Sequence, residues 1–170
     1  MADAASAPGR NTAQRAAEIK EITQKNHNAF QDIKSKWNFS IPQPTAGAAT
    51  QMANWQEWKL YVKELQQKPK PTLQDYRAKA KLMVTRTEGL LNNMPALYST
   101  PSVRTRINVL ITKVRLISTF LAADNNIPAN RIITLINDIN RESAQLLLQF
   151  DELFDGILGD WKTEPVRFQL

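Results

Sequence analysis

Apolar residues recur along this chain at helical spacing, in five segments. Ile19, Ile22, Asn26, Ala29 and Ile33 mark a narrow seam on a helix expected over 12–36. Two seam positions per heptad, one of them Asn, predict a looser packing partner. Trp37, Phe39 and Ile41 then alternate, and Pro42 and Pro44 exclude regular helix, so 37–45 reads as an extended crossover strap. Met52, Trp55, Trp58, Tyr61, Val62 and Leu65 form a broad aromatic face on a second helix over 50–68, closed by Pro69 and Pro71. Thr72 with Asp75 three residues on is a helix start. Leu73, Tyr76, Ala80, Met83, Val84, Thr87, Leu90, Leu91 and Met94 carry the third helix to Pro95.

Thr100-Pro101 is an N-cap followed by Pro at the first helical position. Val103, Ile107, Leu110, Val114, Ile117 and Leu121 follow in 4-3-4-3-4 spacing, widened by Ile111, Leu116 and Phe120. Asp124-Asn-Asn126 breaks this fourth helix. The fifth begins after Pro128, with Ile132, Ile136, Ile139, Ser143, Leu146, Phe150, Leu153 and Ile157, and Gly156 and Gly159 predict its end. The expected fold is all-α: an antiparallel up-down bundle of four core helices, plus a longer, looser N-terminal helix and the Trp/Pro crossover. Residues 1–11 read as a flexible polar tether, 12–160 as one domain, and 161–170 as an extended tail whose Trp161, Val166 and Phe168 can lie against the bundle.

Composition removes most chemistry. The chain has 170 residues, no Cys and one His, with five Gly in no phosphate-cradling arrangement. Disulfides, thiolate sites and Glu-x-x-His metal bundles are excluded, and His27 reads as a surface residue. An EF-hand loop from Asp151 would place Leu153 and Lys162 where oxygen ligands belong. Ser143 has no base beside it and reads as a small core residue at a close helix contact. Asn38-Phe-Ser40 fits a glycosylation triplet, meaningful only in a secreted eukaryotic protein. No enzyme, metal or cofactor is expected. No apolar run reaches the roughly 20 residues of a membrane span, and the polar N-terminus carries no secretory apolar core.

Charge is uneven. The formal balance is +6, all of it in residues 1–100. Within 59–86, Lys59, Lys63, Lys68, Lys70, Arg77, Lys79, Lys81 and Arg86 face only Glu64 and Asp75. Such a run is a solvated helix face or an anion-attracting surface. The acidic run Asp151, Glu152, Asp155 and Asp160 reads first as a solvated helix face, and its charge can complement the basic run, inside one molecule or between two. Trp55, Trp58 and Tyr61 with Lys59 and Lys63 suit a base-stacking platform or, equally, an aromatic groove for a peptide or glycan, but core packing under the strap is the stronger reading. The candidate contact surface is therefore Trp37, Phe39, Trp55 and Trp58 together with Lys59, Lys63, Lys70, Arg77 and Lys81.

Trp37-Asn-Phe, Pro44, Asn54-Trp-Gln-Glu-Trp58 and Glu64-Leu-Gln-Gln-Lys-Pro-Lys-Pro-Thr72 form a recognisable series, joined by Pro101-x-Val103-x-x-Arg106 and Thr112-Lys113. Over roughly 30–150 the chain resembles small helical lipoproteins of Bacteroidetes, of the flavobacterial type. The resemblance implies a helical domain behind a polar tether, in the periplasm or at the outer membrane; without it the expected place is the cytoplasm. Membrane attachment would need a removed leader carrying a lipidated cysteine. The resemblance implies no activity and no site residue. The functional expectation is a non-enzymatic module acting by protein–protein contact at the cell envelope. The alternative is a binder of nucleic acid or an anionic surface through 59–86. Self-association through the Ile19–Ile33 seam is a further expectation.

Overall fold

A computed structural model describes the backbone of residues 11–168 and the side chains of residues 11–156. The tether expected over 1–11 falls almost wholly outside the described residues. Among those residues regular structure is helical, with no strand. We number the helices α1 (Thr12–Lys36), α2 (Ala46–Met52), α3 (Gln56–Gln66), α4 (Leu73–Gly89), α5 (Pro101–Leu121) and α6 (Ala129–Phe168). A single 3-10 turn covers Ala96–Tyr98.

Helix starts follow their caps. Asn11 accepts a hydrogen bond from the Gln14 amide, and the Thr100 hydroxyl accepts from Val103 N–H. At α4 the exchange is reciprocal: Thr72 accepts from the Asp75 amide while the Asp75 carboxylate accepts from Thr72 N–H. The α5 stripe is buried throughout, from Val103 to Leu121. Of the residues expected to widen it, Ile111 is buried and Phe120 half-buried, whereas Leu116 stays exposed.

Side-chain bonds give each neighbour's direction. Glu57 meets Asn93 and Glu64 meets Lys79, so α3 runs against α4. Arg77 reaches Leu121, and Glu88 pairs with Arg115, so α4 runs against α5. Ser102 meets Gln149 and Lys113 meets Asp138, so α5 runs against α6.

The chain from Asn26 to Thr45 instead runs along α6 in its own direction. The Asn26 amide donates to Asp124 O and its oxygen accepts from Ile127 N–H, clasping the α5–α6 turn. These two hydrogen bonds explain a polar residue on the seam. The Asn140 side chain then bridges the strap, donating to Asn38 O and accepting from Ser40 N–H, both at 2.9 Å. Thr45 donates to Asp151. The spacing is consistent: five extended residues span about 16.5 Å at 3.3 Å each, and eleven helical residues of α6 span about the same at 1.5 Å each. Trp37, Phe39 and Ile41 are buried while Asn38, Ser40 and Pro42 are exposed, as their alternation predicts.

Three expectations need correction. The helix expected over 50–68 is two helices, bent at Ala53–Trp55. Trp55 leaves the helical region at φ −88°, ψ 86°, and turns inward to 1% exposure against Phe150. The bend also lets α2 lie on α6, where a Cβ on Gly47 would collide with the Phe154 ring. Secondly, α4 ends at Gly89 instead of reaching Pro95. Asn93 adopts φ 54°, and the residue before Pro95 is disfavoured in helix, so the chain unwinds earlier and buries Leu90 and Tyr98. Lastly, α6 continues through Gly156 and Gly159 to Phe168, so the extended tail is not seen. Each helical Gly costs about 1 kcal/mol relative to Ala, which a 40-residue helix tolerates. The side chains of Ile157, Trp161, Val166 and Phe168 lie outside the described residues.

Packing differs along α1. Only Phe30 and Ile33 are buried, Ile22 and Ala29 are half-buried, and Ile19 is 64% exposed. The last turns of α1 are core: Phe30 packs edge-on to Tyr76 at 5.1 Å, and Trp37 does the same at 5.0 Å. Farther along, Trp55, Trp58, Tyr61, Tyr98 and Phe150 form one aromatic cluster with centroids 4.5–5.7 Å apart. Tyr61 and Ser143 hydrogen-bond at 2.6 Å, both fully buried, tying α3 to α6. Ser143 is thus a bonded core polar group as well as a small one.

Candidate functional site: a groove beneath the strap

The bend at Ala53–Trp55 creates a surface feature. Strap, α2 and α3 border a groove of about 430 Å³. Pro42 and Pro44 form one wall, Ala49 and Met52 another, and Trp58 and Val62 the floor. Lys59 and Lys63 stand on the α3 rim, one helical turn apart.

Each structural part has a reason to hold still. The two prolines fix φ and donate no backbone hydrogen bond, so the strap crosses without pairing. Gly47 allows α2 to seat against Phe154. Trp58 is locked between Trp55, Tyr61 and Phe150, with an exposure of only 5%. The floor is therefore preformed, which lowers the ordering cost of binding.

The residues expected at a contact surface separate into groups. Trp37, Phe39 and Trp55 are core. Trp37 packs on Tyr76 and Phe39, and Trp55 donates its indole N–H to Asn92 O. Burial of such large apolar area, worth about 25 cal/mol per Å², outweighs any use as exposed contacts. Trp58 alone of the four aromatics lines the groove.

The basic residues do not share one face. Lys59 and Lys63 lie on the groove rim, exposed and without an ion pair among the described residues. Lys70 lies exposed between Pro69 and Pro71. Its charge adds to the Thr72 hydrogen bonds that hold the Asp75 carboxyl below the usual range. Arg77 faces α5, donating to Leu121 O at 2.6 Å and Ala123 O at 3.2 Å. It caps the carbonyl end of that helix, where a cation is favoured. Lys81 lines a separate shallow cleft with Val84, Arg115, Ser118 and Thr119. Within the same run, Lys79 is buried and bonded to Glu64 at 2.6 Å, and Arg86 stands 3.6 Å from that carboxylate. The cations that counted as one patch along the sequence are thus split among the groove, an ion cluster and the α4–α5 side.

Sequence reasoning missed Pro42, Pro44, Ala49, Met52, Val62 and Gln66 as a lining. The Pro-x-Pro strap and the Trp58–Lys59–Val62–Lys63 spacing were the available signals. The wall made by α2 had none, since no Gly or Pro marks the bend.

The groove lining offers apolar area, two cations and the amides of Gln43 and Gln66, and it presents no carboxylate, imidazole or hydroxyl. Among the described residues no three His, Cys, Asp or Glu side chains gather as a metal site. No described helix is long and apolar enough to cross a membrane. Comparison with known proteins adds no relative: no family model matches the chain, and no curated protein or solved structure matches it significantly.

Proposed function

We propose that this is a non-enzymatic helical-bundle protein that works by protein–protein contact, with the strap groove as its contact surface. One observation carries the reading: an apolar floor stands open beside Lys59 and Lys63, two cations with no partner among the described residues. A concave apolar site with a few convergent polar groups is the usual form of a recognition surface. Its cations suit a partner segment that joins acidic and apolar side chains.

The supporting scaffold reads as an antiparallel up-down bundle. On this reading α3, α4, α5 and α6 are the four columns, and the last turns of α1 pack beside α6, parallel to it. The first turns of α1 stand outside the bundle. Placement at a bacterial cell envelope follows from the lipoprotein resemblance and belongs to the same proposal.

Nucleic-acid binding through 59–86 is the less favoured reading. Arg77, Lys79 and Arg86 of that run are engaged with carbonyls or with Glu64, and a phosphate backbone needs several free cations in line.

The test uses an affinity-tagged full chain expressed in its own cells. Ala53→Glu with Gln66→Glu places two carboxylates on exposed groove positions, and Asn108→Glu with Thr112→Glu does so on α5. Recovery of a defined partner should fall at least tenfold for the groove pair and stay level for the α5 pair. Equal recovery by both would overturn the proposal.

A further inference from the structure

The groove has a chemical complement on the same molecule. Near the end of the described side chains, α6 carries Glu152 and Asp155, three residues apart and both exposed, with no ion pair among the described residues. Leu153 and Phe154 between them are half-buried. At Gly156 an added Cβ would meet nothing within 4 Å, so that side of the helix faces open space. The helix continues to Phe168. The sequence of the α6 end, Asp151 to Phe168, holds five acidic and two basic residues among Leu, Ile, Phe and Trp.

Lys59 and Lys63 are separated by one helical turn, as are Glu152 and Asp155. An exposed acidic helix face and a basic, apolar groove therefore occur on one chain. We infer that the groove receives the α6 end of a second copy, in a head-to-tail contact. This rests on the reading of the groove as a protein-contact surface and names its partner. A charge-matched pair of this kind steers encounter and fixes register. Because the two surfaces differ, the contact is heterologous, and each added copy leaves one groove and one α6 end free. Association then continues beyond a dimer unless the rotation closes a ring.

The experiment is sedimentation equilibrium of the full chain across a concentration series at low and high salt. We expect the mass to rise above 19.3 kDa with concentration at low salt, and to fall back as salt screens the contact. Lys59→Glu with Lys63→Glu should weaken association about tenfold or more, and Glu152→Lys with Asp155→Lys should do the same. An equimolar mixture of the two variants should restore it, since each then meets an opposite charge. All four positions are exposed, and circular dichroism confirms that the variants fold. A chain that stays monomeric throughout, or association unaffected by either reversal, overturns the inference. Should a foreign partner still be lost on groove substitution in that case, the contact-surface reading survives and only the second copy is wrong.

Discussion

Tyr61 and Ser143 provide a direct measure of how α3 is held on α6. Their oxygens are 2.6 Å apart, both residues are 0% exposed, and burial drives the tyrosine pKa well upward despite the serine bond that lowers it. Ser143→Ala strands a phenol in a dry site, and leaving such a group unpaired costs about 1–3 kcal/mol. Tyr61→Phe strands a serine hydroxyl, but a helical serine can turn to the carbonyl four residues back, so about 1 kcal/mol is expected. The double variant removes both groups and leaves nothing unpaired. Its cost should fall short of the summed single costs by about 1 kcal/mol, the coupling typical of bonded neighbours. Urea unfolding of the four proteins, with m checked for constancy, measures the cycle. Single costs that add within about 0.3 kcal/mol would refute the bond's energetic role.

Other consequences follow from the same packing. The chain's three tyrosines all have raised pKa values from burial, with Tyr98 pushed up to about 12, first by burial and then by Asp151. A raised tyrosine pKa favours the neutral form in the fold, so its stabilisation is complete below pH about 10 and lost above it. Between a tyrosine's unfolded and folded pKa the slope is about 1.4 kcal/mol per pH unit. Tyrosinate absorbance should therefore appear only as the protein unfolds in alkali, and an early titration near pH 10 would contradict this burial. Lys79→Met leaves Glu64 half-compensated by Arg86 in a buried site and should cost about 3 kcal/mol. Lys81→Met, at an exposed site, should change stability by less than about 0.5 kcal/mol; thermal melts compare them. Gly47→Ala forces the Phe154 ring aside and should cost about 1–3 kcal/mol by overpacking, with loosened α2 seen as faster amide exchange.

Legibility in the sequence tracked how local the cause was. The α5 stripe from Val103 to Leu121 and the caps at Thr72 and Thr100 rest on spacing and neighbours within one turn, and they stand in the structure as expected. So does the strap, since Pro42 and Pro44 exclude helix whatever surrounds them. The break at Ala53–Trp55 has no such local marker. It is set by Trp55 reaching Phe150, a residue far along the chain. The glycines of α6 misled in the opposite sense, because Gly permits a helix end without requiring one. For the candidate site the cations were visible, but their partners were not. Arg77 on the α5 carbonyls and Lys79 on Glu64 are tertiary contacts that no charge count contains. Trp58, Lys59 and Lys63 were among the expected contact residues, while the wall that turns them into a groove came from the unforeseen bend.

Site-specific photo-crosslinking tests the groove as a contact surface most directly. A photoreactive residue at Gln43, at Gln66 or at Thr112 samples two groove positions and one on α5. Irradiation in the native cells should give one covalent adduct of the same mass from Gln43 and Gln66, and none from Thr112. Adducts spread equally over all three positions, or absent from the groove pair, would contradict a protein partner seated beneath the strap.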